Sequence, residues 1–242
     1  MNEKLIHEII PVGMLQCNCS ILGDPVTREA IVVDPGDDVE RILAILRKNK
    51  LTVKAIVSTH THIDHVGGLA ALHAATGAPV LIHEADTPLY QILDQQADFL
   101  GVRMPVVSKI DGYVKDGDTL RWGGYAARVI HTPGHTPGSI ALYADAAGTK
   151  GAAAPAHGDG WVIVPAGDGK KLEAPASPLL IAGDTLFHGS IGRTDLWGGS
   201  MRDILRSIRD KLMVLPDETR VIAGHGDETT IGAEREDNPF LR

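Results

Sequence analysis

Cysteine is almost absent from the 242-residue sequence, which holds only Cys17 and Cys19, one position apart. In an extended segment that spacing is poorly suited to a bridge, so no disulfide framework is expected. Long apolar runs are also missing. The first eight residues mix charges of both signs, and the uncharged stretch Ile9 to Gly23 is broken by Pro11, Gly13, Gln16, Asn18 and Ser20. It reads as neither a signal peptide nor a membrane span, and a reducing cytoplasm is the expected location. An excess of positive charge is lacking as well: 23 Lys and Arg face 31 Asp and Glu, for a net −8. That balance argues against a general binder of nucleic acid or anionic membranes.

What is present is enough apolar residue, 43%, to fill the core of one large domain over residues 1–242. Strands are expected at Ile6–Val12, Cys19–Gly23 and Ala30–Asp34, then an amphipathic helix over Asp37–Asn49. A buried strand Val53–Ser58, a helix Gly68–Thr76, a strand Pro79–His83 and a helix Asp86–Leu100 follow. The second half repeats the alternation with strands Thr119–Trp122, Ala127–His131, Ser139–Ala144, Leu179–Ala182 and Arg220–Ala223, a helix Ser200–Val214 and a short closing helix. Residues 145–178, rich in Ala, Gly and Pro, read as an insertion between two strands, and its His157 and Asp159 as loop residues outside any site.

Histidine is the residue that stands out, at 11 copies. Three of them lie in Thr59-His60-Thr61-His62-Ile63-Asp64-His65-Val66-Gly67-Gly68, directly after the strand Val53–Ser58. Alternate side chains of an extended segment share a face, so His60 and His62 can converge on one cation, while a turn lets Asp64 and His65 address a second. Gly67 and Gly68 allow close backbone approach. Further along, His135, Asp184 and His225 each follow a glycine at a strand end. Asp34, closing Ile31-Val32-Val33, is read either as a residue that orients a ligand histidine or as a turn former. Cys17 and Cys19 read as small buried hydrophobes, and His131 and His188 as structural or orienting rings.

These residues resemble the metallo-β-lactamase-fold hydrolases, in particular the short, single-domain type of the glyoxalase II-like (hydroxyacylglutathione hydrolase) branch. The resemblance implies an α/β fold, an αββα sandwich of two mixed sheets flanked by helices, and no C-terminal helical glutathione-binding domain. It implies that His60, His62 and His135 bind one metal, that Asp64, His65 and His225 bind a second, and that Asp184 bridges them, with Asp64 and Asp184 serving catalysis. Arg193 falls where the family places a glutathione-binding Lys, and Asp195 where a Tyr would be expected. The implied cofactors are two divalent ions, zinc in the first instance, with iron and manganese suited by the same ligands.

Hydroxide generated on such a pair attacks an acyl carbon at neutral pH, and the metal stabilises the oxyanion that forms. A thiol of pKa about 8.5 leaves as thiolate without a strong acid, whereas an amine must be protonated, so thioesters are the favoured substrate and S-lactoylglutathione is the implied example. The expected partner is thus a small-molecule glutathione thioester. The competing expectation is an iron-dependent persulfide dioxygenase of the same fold. That enzyme shares the His-x-His-x-Asp-His segment and the Gly192-Arg193-Thr194-Asp195 run but uses one iron and oxygen.

Overall fold

In a computed structural model of the chain, residues 5–145, 175 and 177–242 are described. The expected insertion at 145–178 therefore lies almost wholly outside the described residues. The N-terminal half builds one six-stranded sheet from β1 (Ile6–Val12), β2 (Cys17–Gly23), β3 (Glu29–Val33), β4 (Thr52–Val57), β5 (Val80–His83) and β6 (Gly112–Val114), in that spatial order. The first three strands run antiparallel and the later pairings are parallel. Between them lie α1 (Val39–Lys48), α2 (Ile63–Val66), α3 (Leu69–Thr76), α4 (Thr87–Tyr90) and α5 (Leu93–Leu100).

The second sheet runs in the order β14-β13-β10-β9-β8-β7, from β7 (Thr119–Trp122), β8 (Tyr125–His131), β9 (Ile140–Ala144), β10 (Leu179–Gly183), β13 (Arg220–Ala223) and β14 (Thr229–Thr230). β10 and β13 are parallel and the other neighbours antiparallel, so this sheet is mixed too. A two-residue hairpin, β11 (Leu186–Phe187) with β12 (Ser190–Ile191), follows β10, and α6 (Met201–Ser207) and α7 (Ile231–Asp237) cover the outer face.

Alternation along the strands sets the layers. In β3, Ile31 and Val33 face the second sheet with Ala55, Val57, Leu120, Trp122, Val129 and Leu142, while Val32 between them faces helix residues Ile42, Leu69 and Leu72. In the second sheet Ala141, Leu180 and Val221 turn outward to Ile204, Ile208 and Ile231. Strands covered on both faces must be apolar at every position, which is why they read as continuous hydrophobic runs. The result is an αββα sandwich, the architecture that the resemblance implies.

Two helices differ from expectation. Asp86–Leu100 is not continuous: a 3-10 turn at Glu84–Asp86 leads into α4, and the helix restarts at Leu93. Pro88 sits in the first turn of α4, and the Asp86 carboxylate, instead of capping that helix, turns inward to Thr61, Thr136 and Gly138. Ser200–Val214 starts where expected, Ser200 accepting from the Asp203 amide. Its last turn, Ile208–Leu212, then widens to a π-helix while Ile208 and Leu212 stay in the core. The short strands β6, β11, β12 and β14, two or three residues each, were not anticipated.

Candidate metal centre

The parallel orientation of β8, β10 and β13 brings the residues after their C-terminal ends to one edge of the sandwich. The end of β4 is stitched to the same edge by the Ile140 amide donating to the Thr59 carbonyl at 2.8 Å. Each strand end delivers part of the cluster: His60, His62, Asp64 and His65 after β4, His135 after β8, Asp184 after β10 and His225 after β13. α2 carries Asp64 and His65, and its first free amide, Ile63, donates to buried Gln96 Oε1 at 2.9 Å. A Cβ on Gly224 would lie 1.9 Å from Asp184 Oδ1, and one on Gly67 2.4 Å from the Gly36 carbonyl, so the glycines beside the donors are there for close approach.

All seven sequence-expected donors converge. His60 Nε2, His62 Nδ1 and His135 Nε2 form a triangle with sides of 3.1, 3.2 and 2.9 Å. A tetrahedral ion held at about 2.0 Å by imidazole nitrogens requires nitrogens roughly 3.3 Å apart, so this spacing fits one cation. Beside it His65 Nε2, His225 Nε2 and Asp64 Oδ2 form a second triangle of 3.3, 3.1 and 3.7 Å. The Asp184 carboxylate lies between the two: Oδ1 is 3.4 Å from His65 Nε2, and Oδ2 is 3.6 Å from His135 Nε2 and 3.8 Å from His225 Nε2. Its Oδ1 is buried without a hydrogen-bond partner, an arrangement that is costly unless a cation or donor supplies the missing interaction.

Proton accounting gives the same result. The Thr59 hydroxyl donates to Asp34 Oδ2 at 2.7 Å, so its oxygen accepts from His60 Nδ1 at 3.2 Å and leaves a lone pair on His60 Nε2. His135 Nδ1 donates to the Arg193 carbonyl at 2.8 Å, leaving its Nε2 unprotonated in the neutral ring as well. Burial and the neighbouring rings push His60 far below the ordinary histidine range and His62 down to about 3. Lone pairs therefore face one another at 3.2 Å, a geometry that a shared cation stabilises. In the second triangle burial works toward neutrality. The carboxylates of Asp64, Asp34 and Asp184 nevertheless hold His65 well above its usual value, and the hydrogen bond to Asp64 raises His225. Asp64 stays low against burial because of His65 and His225. The carboxylates thus draw positive charge to the place a divalent ion would fill.

Several supporting residues were only half legible. Asp34 takes the orienting alternative: its carboxylate accepts from the Thr59 amide at 2.7 Å and lies 3.1 Å from His65 Nδ1, at a strained backbone with φ of +52°. Cys17 is buried, with Sγ 3.5 Å from the same nitrogen, and burial pushes its thiol up to about 12. Asp86 was missed altogether. Fully buried, it accepts from the Thr61 amide, the Thr136 hydroxyl and the Gly138 amide at 3.0, 2.9 and 2.5 Å, fastening the His60–His62 loop to the His135 loop. Arg193 contributes its carbonyl to His135, while its exposed guanidinium forms a two-pronged pair with Asp195 at 2.8 and 2.9 Å. His131 turns away from the cluster, stacked on His83 and bonded to the Pro137 carbonyl, and His188 is exposed.

Comparison with known proteins identifies the family. The family model described as the metallo-beta-lactamase superfamily matches residues 12–149 and 156–225. A hydroxyacylglutathione hydrolase, GloC, of Haemophilus influenzae is 34% identical over 241 residues, covering 97% of each chain. Among solved structures, BLEG-1, a B3 metallo-beta-lactamase, superposes with a TM-score of 0.78 at 33% identity, over 98% of this chain and 99% of that one. TTHA1623 in a di-iron-bound form superposes with a TM-score of 0.74 at 33% identity, over 97% of this chain and all of that one.

Proposed function

The chain belongs to the metallo-beta-lactamase superfamily and is a metal-dependent hydrolase, and from that premise we propose that it cleaves thioesters, with S-lactoylglutathione and related hydroxyacylglutathiones as substrates. In this reading His60, His62 and His135 hold one divalent ion, Asp64, His65 and His225 hold a second, and Asp184 is shared. The observation that carries it is the position of Asp184 between the two trios, its Oδ1 otherwise unpartnered. Zinc is the expected metal. Iron stays in view through the di-iron relative, and nitrogen and oxygen donors serve manganese as well.

When bound, such ions supply Lewis acidity and bring the pKa of a water from 15.7 to about 7. The protein's own groups do the rest. Carbonyls of Arg193 and Leu15, 2.8 and 2.9 Å from the outer nitrogens of His135 and His225, fix those rings so that their inner nitrogens face the centre. Asp64 and Asp184 offset the positive charge gathered there. In the hydrolysis the oxygen of water bonds to the acyl carbon and its two protons pass to solvent as the carboxylate forms, while the carbon–sulfur bond breaks and the sulfur leaves as a thiolate that takes one proton back from solvent. No residue outside the cluster is needed as an acid. An amide, whose nitrogen requires a proton to depart, is the disfavoured substrate. GloC's name and its 34% identity support the glutathione thioester, and the unpaired, buried Cys17 and Cys19 are compatible with a reducing cytoplasm.

The test is a matched substrate set: S-lactoylglutathione, the oxygen ester of the same acid, and a β-lactam as the amide. Hydrolysis should be fastest for the thioester and slowest for the lactam, and a lactam cleaved as fast as the thioester would overturn the reading. Thioester inertness together with oxygen uptake on glutathione persulfide would replace it with the persulfide dioxygenase.

A further inference from the structure

Beside the metal centre, on the side of Asp64, a cavity of about 580 Å³ opens between the β1–β2 turn and the segment that follows α5. Its volume is in the range of small-molecule sites. Asp64 contributes to its wall, and so does Leu15, whose carbonyl accepts from His225, so the cavity adjoins the second trio. Much of the remaining lining is apolar, with Met14 and Leu15 from the turn and Leu100, Met104 and Val106 from the far side, interrupted by Asp37 and Arg103. These five side chains are between 39% and 78% exposed, in a protein whose other large apolar residues mostly fill the core. Exposed apolar residues gathered round one concavity, rather than scattered singly, mark a binding surface.

The walls are held in place. The Leu15 carbonyl accepts from His225 Nδ1 at 2.9 Å, so the turn is fastened to a proposed metal ligand. The opposite segment is pinned where Ser108 exchanges hydrogen bonds with the buried Tyr90 hydroxyl, both at 3.0 Å, and where the Val102 amide donates to the Ala97 carbonyl. The charged residues of the lining are Asp37, Asp64 and Arg103. A lactoyl group, two carbons beyond the carbonyl and one of them hydroxylated, would leave most of this apolar surface wet.

We propose that the cavity binds the acyl arm of the substrate and selects unbranched apolar acyl groups of about four to eight carbons over short ones. This rests on the thioesterase reading and adds to it the class of acyl group. The reaction is unchanged; the apolar chain leaves water as the acyl carbon is placed at the centre. Each methylene that is fully buried should raise kcat/KM by up to about fourfold.

The test uses the metal-loaded protein and S-acetyl-, S-butyryl-, S-hexanoyl- and S-octanoylglutathione. The expected result is a kcat/KM that climbs along the series and a slope that collapses in Met104→Ser and Leu15→Ser, each checked for fold by circular dichroism. A series flat to within twofold in the wild-type protein overturns the proposal while leaving thioester hydrolysis standing. If none of the four is hydrolysed, the functional reading fails instead, and calorimetric titration with S-octyl- against S-methylglutathione decides the cavity separately. Tighter binding of the octyl thioether, lost in Met104→Ser, upholds it, and equal affinities overturn it.

Discussion

At the scale of single residues, the cluster works because most donors have their second atom spoken for. Asp86 shows how far this extends, since it touches no proposed ligand side chain and yet joins the two loops that carry His60, His62 and His135. Replacing it by Ala leaves two buried amides and a hydroxyl without their acceptor and frees the His135 loop. Asp86→Ala should weaken the first ion by about 10- to 100-fold, the range for residues that orient metal ligands, and the second ion much less. Competition with a chromophoric chelator reads both affinities, and equal loss at both would remove Asp86 from this role. Arg193 gives a second prediction. If its guanidinium receives a glutathione carboxylate, it must loosen its pair with Asp195. Asp195→Ala should then lower KM for S-lactoylglutathione and Arg193→Ala raise it, with small activated esters unaffected by either. A KM that moves the same way in both variants would contradict that assignment.

Much of this was legible residue by residue. His60, His62, Asp64 and His65 lie within six positions, and their spacing alone points to a cation site; His135, Asp184 and His225 are isolated in the chain but each follows a glycine. Asp34 was legible only as two alternatives, because a turn former and an orienting carboxylate look the same before the fold brings Thr59 and His65 to it. Asp86 was silent for a related reason. A lone acid at the start of a helical pattern reads as a favourable first-turn charge, and only its complete burial reveals otherwise.

At the scale of elements, strands covered on both faces announced themselves as apolar runs, whereas β6, β11, β12 and β14 are too short to show any period. The edge strand β1 supports a pH prediction. His7, on β1 opposite Leu22, is held at about 4 by burial and by Arg220 of β13, against an ordinary value of 6.5. Because the folded value lies below the unfolded one, the unfolded chain binds the proton more readily. Stability contributed by the neutral ring is complete above about pH 6.5 and is lost as pH falls toward about 4. His7→Gln should therefore lose less thermal stability than the wild-type chain over that window, measured on chelator-treated samples of both. Parallel curves would show that His7 is not under this strain.

At the scale of the whole molecule, two sheets pack face to face over a shared core, and the candidate site is assembled from what emerges at one edge of that sandwich. Contacts across the sheets hold that edge together: the Asn18 amide donates to the Gly224 carbonyl at 2.7 Å, and the Asn18 side chain bonds the Ala223 and Gly226 carbonyls at 3.0 Å each. No single segment contains both trios, which is why sequence alone could indicate the donors but not their distances. Among the described residues no helix is long and apolar enough to cross a membrane.

The most direct measurement of the central claim is a titration of anaerobically prepared, metal-free protein with zinc, and separately with ferrous iron, following S-lactoylglutathione hydrolysis at each step. The account predicts activity that rises to a plateau near two ions per chain and is abolished by Asp184→Ala at any metal load. A plateau at one iron per chain, with oxygen consumed on glutathione persulfide and no thioester turnover, would contradict it.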